Sequence, residues 1–196
     1  AATGMDALTH AIESYITPGA WAMSDMFELK AIEMIAANLK AAVDNGNDTV
    51  AREAMSQAQY IAGMGFSNVG LGIVHSMAHP LGAHYDTPHG VANALLLPYV
   101  MEYNAKSLAA PKYMSIAKAM GVNTDGMSEN EGVRAAVEAV KQLSLSIGIP
   151  QKLHEINVRE EDLHQLAIDA FNDVCTGGNP RSTSVEDIEA LYRKAF

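Results

Sequence analysis

The chain has 196 residues, 48% apolar and 18% charged, with a formal net charge of −10. Such a chain folds as one domain, or two small ones, with a substantial core, and is no disordered tail. Its acidity argues against nucleic acid or an anionic membrane as main partner, and no signal peptide or transmembrane stretch of about 20 apolar residues appears.

The opening residues, AATGMDALTH, run into a helical motif without an initiator Met, so the chain reads as a piece of something longer. Residues 4–16 carry Met5, Leu8, Ile12 and Ile16 at the three-or-four spacing of a helix with one buried face. Thr17-Pro18-Gly19 ends it. Ser24 is the expected cap of a second helix, reaching about Val43, with Met26, Leu29, Ile32, Ile35 and Leu39 inward. The turn Asp44-Asn45-Gly46-Asn47 leads to a third helix over Thr49–Met64, and then to a glycine-rich bend, GMGFSNVGLG.

A helix bearing His75, His79 and His84 follows, with a kink expected at Pro80. Asp86-Thr87-Pro88 breaks the chain before His89, and a very apolar helix runs from Gly90 to about Asn104. Further helices are expected from Pro111 to Gly121, from the capping box at Ser128–Glu131 to Ile147, over Glu161–Val174, and over Ser184–Ala195 behind a capping box from Thr183 to Glu186. The loop CTGGNPR spans Cys175 to Arg181. No run of alternating strands appears. The expected fold class is all-α, with eight or nine helices and no repeat.

Four of the seven histidines lie between Gly65 and Val100. His75 and His79 are four apart, and Asp6 and His10 have the same spacing, so each pair shares one helix face. A lone pair of this kind is weak evidence, because a histidine on an apolar face is more often a core residue bonded to a carbonyl. The combination is stronger. Asp6 and His10 project from one helix, His75 from another, and His89 closes from a loop between a proline and a glycine. One carboxylate and three imidazoles suit Fe²⁺ or Zn²⁺ and are too nitrogen-rich for Mg²⁺ or Ca²⁺. The sole cysteine, Cys175, allows no internal disulfide, offers no thiolate-type zinc site, and leaves a cytoplasmic protein as the default.

GMDALTHAIESY and GLGIVHSMAHPLGAHYDTPHGVANALLLPYV closely resemble the two signatures of the iron-containing (group III) alcohol dehydrogenases. The resemblance covers essentially the whole chain. It implies the C-terminal helical domain of a dehydroquinate synthase-like fold, with Asp6, His10, His75 and His89 as metal ligands. It further implies that His79 lies near the nicotinamide and substrate and positions a proton-relay water, and that Phe66 and Cys175 line the substrate cavity. The implied enzyme takes a small aldehyde such as lactaldehyde to its alcohol or diol with NAD(H), as a homodimer. An N-terminal α/β domain carries the nucleotide in that family. The glycines of GMGFSNVGLG follow no strand and are a weak dinucleotide signal. The 196 residues alone are therefore expected to bind metal without dehydrogenase turnover.

Two other readings stand beside this one. A metal-dependent hydrolase would need a carboxylate base; Glu13 is the nearest in sequence, but no HExxH pattern exists. A non-catalytic helical module would use the histidines structurally. His84, His154 and His164 are expected at the surface, and the 11 methionines in the core.

Overall fold

Nine α-helices and three short 3₁₀ turns form along residues 1–196, all of which the computed structural model describes, and no strand forms. Helix α1 (Ala2–Ile16) is the hub. Its Met5, Leu8, Ile12 and Ile16 are buried against α2 (Ala22–Asp44), α3 (Thr49–Val69) and α5 (His89–Asn104). Each such side chain contributes about 1.5–3 kcal/mol through the area it removes from water. Helix α4 (Ile73–Tyr85) lies against α5 and α8 (Leu163–Phe171), α6 (Lys112–Ala119) pairs with α7 (Glu129–Ser146), and α8 with α9 (Val185–Ala195). Helix α5 is apolar on most sides and buried to match: Ala92, Ala94, Leu95, Leu96, Leu97, Val100 and Met101 are all in the core. No helix is long and apolar enough to cross a membrane.

Several local expectations change. Helix α3 continues five residues past Met64, to Val69, so most of the supposed glycine bend is helical. Gly65 stays in the helix because a Cβ there would sit 1.9 Å from Glu28 Oε1; the missing side chain makes room for α2. At the start of α2, Trp21 is the cap, and Ser24 is the residue whose hydroxyl accepts the Trp21 N–H at 3.0 Å. The inward register there is Ser24 and Glu28, while Met26 is exposed. The last capping box is Ser184 with Asp187, one residue beyond the expected pair. The Ser128–Glu131 box forms as expected. The segment 161–174 splits into a 3₁₀ turn and the shorter α8. Helix α4 runs on through Pro80 and stops at Asp86, which takes the left-handed conformation (φ 51°) that a short polar side chain tolerates.

Candidate metal centre

Three helices meet at one point. Helix α1 presents Asp6 and His10, α4 presents His75, and α5 presents His89 as its first residue, so a helix end aims that imidazole where a loop was expected. The close approach of α5 to α1 depends on Gly90, where a Cβ would lie 2.4 Å from the Ala2 carbonyl oxygen. His10 Nε2 and His75 Nε2 face each other at 3.1 Å. Asp6 Oδ1 is 3.9 Å from His75 Nε2 and 3.5 Å from His89 Nε2, and Asp6 Oδ2 is 3.9 Å from His10 Nδ1. Ligands about 2.0–2.1 Å from a tetrahedral ion lie about 3.4 Å from one another. Asp6, His10 and His75 bring ligand atoms within 4.8 Å of one another, as a shared divalent cation requires, and His89 approaches this group through Asp6.

The surroundings favour the neutral form of two of these imidazoles, His10 and His89, as metal ligation requires. Burial, reinforced by the adjacent His75, pushes His10 well below the usual imidazole range. Burial also lowers His89, against the pull of Asp6 and with help from His75 and His79. The Phe66 ring stacks on His10 at 4.4 Å and 21° and shields it from solvent. Asp6, His10 and Phe66 open onto a cavity of about 1130 Å³ that Arg52, Met55 and Tyr60 also line.

His79 sits at the rim, its ring stacked on His89 at 5.4 Å. Its Nδ1 donates to Asp173 Oδ2 at 2.7 Å, which leaves Nε2 as the nitrogen free for chemistry. Burial works against the charge on Asp173, yet the Cys175 N–H and His79 together hold its carboxyl below the usual range. Cys175 is half-buried beside this carboxylate; burial first, then the Asp173 charge, push its thiol up to about 12, so it is no nucleophile at neutral pH. His84 pairs with Asp169 at 2.8 Å on the surface, and His154 and His164 are also exposed.

Three residues at the site escaped the sequence reading in their actual roles. Glu13 is buried and receives the His75 Nδ1 proton at 2.6 Å; its place seven residues after Asp6, on the same helix face, was the available signal. Asn93, four residues after His89 on α5, donates to Asp6 Oδ1 at 2.7 Å and lies 3.0 Å from His89 Nε2. Asp173 is 94 residues from His79, and no local pattern joins them.

Residues 1–196 match the model of the "Fe-containing alcohol dehydrogenase family, C-terminal". The chain is 59% identical over 196 residues to the lactaldehyde reductase of Escherichia coli K12, covering 100% of this chain and 50% of that protein. It is 42% identical over 195 residues to the NAD-dependent methanol dehydrogenase of Bacillus methanolicus, covering 100% and 51%. The crystal structure of a 1,3-propanediol oxidoreductase superimposes with a TM-score of 0.98 at 46% identity, over 100% of this chain and 51% of that one. The chain thus spans about half the length of the curated relatives it matches.

Proposed function

The chain belongs to the Fe-containing alcohol dehydrogenase family, as its C-terminal part, and from that membership we propose that it is the metal-holding half of an NAD-dependent oxidoreductase interconverting a small, lactaldehyde-like aldehyde and its alcohol or diol. Asp6, His10, His75 and His89 hold one divalent cation. Fe²⁺ is the ion in the family's name, and Zn²⁺ accepts the same donor set. The observation that carries this reading is that Asp6, His10 and His75, from two helices, bring ligand atoms within 4.8 Å of one another, with His89 Nε2 of a third helix 3.5 Å from Asp6 Oδ1.

The bound cation supplies Lewis acidity toward a carbonyl oxygen. The chain's own residues do the rest. Phe66 and the walls of the cavity bind the small substrate's carbon skeleton. Asp173 fixes His79 with its proton on Nδ1, so Nε2 faces the centre and exchanges a proton, directly or through water, with the substrate oxygen. Cys175, expected to line the substrate cavity, is not among the residues that line it and stays a neutral thiol beside Asp173. The hydride carrier is NAD(H), held by the half of the relatives that this chain does not span.

Elemental analysis and anaerobic titration of the purified 196-residue protein test the reading. One Fe²⁺ or Zn²⁺ per chain is expected, without alcohol-dependent NADH formation. A folded protein that takes up neither ion would overturn it in favour of a structural module. The hydrolase alternative loses support because Glu13 is buried with both oxygens engaged, and so has no access to a water.

A further inference from the structure

Glu13 is a buried carboxylate (2% exposed) with two donors, both from the first turn of α4. Its Oε1 accepts the Val74 backbone N–H at 2.6 Å, and its Oε2 accepts from His75 Nδ1 at 2.6 Å. The first N–H groups of a helix lack intrahelical partners, and the cap of α4, Gly72, has no side chain to offer. Glu13 takes over that task from 61 residues away. Its helix, α1, thereby carries Asp6, His10 and the group that grips the third donor.

We propose that Glu13 is the positioning residue that holds His75 in the Nδ1–H tautomer and so aims the Nε2 lone pair at Asp6 and His10. The inference rests on the metal reading above for its purpose, though its geometry stands apart from it. His75 is itself only 2% exposed, so no solvent competes for either ring nitrogen. A neutral imidazole has one donor and one acceptor nitrogen, and the partner of one decides the role of the other. With a carboxylate on Nδ1, the proton stays there and Nε2 is the acceptor. The same carboxylate makes the ring more basic as a ligand.

Glu13→Gln reverses the logic at nearly constant shape. The Val74 N–H cannot change role, so it claims the amide oxygen and leaves the amide NH₂ against His75 Nδ1. His75 then presents Nδ1 as an acceptor, and its single proton moves to Nε2, where it faces Asp6 and His10.

The test is ¹⁵N NMR of the His75 ring in the metal-free 196-residue protein, together with Zn²⁺ titration of wild type and Glu13→Gln. The expected results are an Nδ1–H tautomer in the wild type, an Nε2–H tautomer in the variant, and a ten- to hundred-fold weaker Zn²⁺ affinity in the variant at unchanged helix content. A wild-type ring protonated on Nε2, alone or along with Nδ1, would overturn the proposal even if the variant fails to fold. Equal Zn²⁺ affinity with an unchanged tautomer in a folded variant would overturn it as well. If the wild type shows the Nδ1–H form but binds no Zn²⁺, the metal reading fails and the positioning of His75 stands.

Discussion

Glu28 offers the sharpest test of how this fold handles charge. It lies on α2, fully buried between α1 and α3, with neither carboxyl oxygen partnered. The Ser14 hydroxyl donates to the His10 carbonyl and offsets only part of the cost of burying Glu28. Burial pushes the carboxyl up to about 8 from its ordinary 4.5. Between those pH values the unfolded chain sheds a proton that the folded chain keeps, so the fold loses about 1.4 kcal/mol for each pH unit climbed. The accumulated loss is roughly 0.8 kcal/mol at pH 5 and roughly 3 kcal/mol at pH 7, and it levels off near 5 kcal/mol above pH 8. Glu28→Gln has nearly the same shape and no proton to lose. Urea unfolding of both proteins, with a chelator present, should give midpoints that nearly coincide at pH 5. They should separate by roughly 3 kcal/mol at pH 7, with the variant the more stable; for a chain of this size that is roughly 6–12 °C in Tm. A difference that stays constant from pH 5 to 8 would refute the reasoning, because it would mean that the carboxylate is ionised and satisfied inside the fold.

The remaining expectations concern the centre and its supports. His89→Ala should abolish stoichiometric metal retention, and adding Fe²⁺ or Zn²⁺ at a hundred times its Kd should stabilise the wild type by about 2.7 kcal/mol but leave the variant's melting point unmoved. Unchanged metal content in the variant would remove His89 from the ligand set. Gly90→Ala drives a methyl group into the Ala2 backbone, and should cost about 1–3 kcal/mol and weaken metal binding by separating α5 from α1; thermal melts and Zn²⁺ titration check it, and a neutral effect on both would contradict the packing argument. With the chain joined to a nucleotide-binding half, Asp173→Asn should lower kcat by a factor of ten or more with little change in metal content or KM. A change confined to KM would place Asp173 in binding rather than in proton handling.

The α-helical class of each segment, its approximate extent and the pairing of Asp6 with His10 and of His75 with His79 were legible along the chain, because they follow from a local 3.6-residue period and from turn chemistry at Thr17-Pro18-Gly19 and Asp86-Thr87-Pro88. Membership of the family was legible as well, in motifs spanning His10 and His75 through His89. What the order of residues left open was every choice between two acceptable local answers. On α2, Leu29, Ile32, Ile35 and Leu39 face the core as the spacing predicts, but Met26 is exposed and Glu28 is buried against Gly65 of α3. Past Met64, α3 continues with Glu28 of α2 filling the space beside Gly65. The supports of the centre are tertiary in the same sense: Glu13 meets His75 across 62 residues and Asp173 meets His79 across 94. A hydrogen bond has no period. Its partners are brought together by packed helices, and only their packing reveals which carboxylate turns which imidazole.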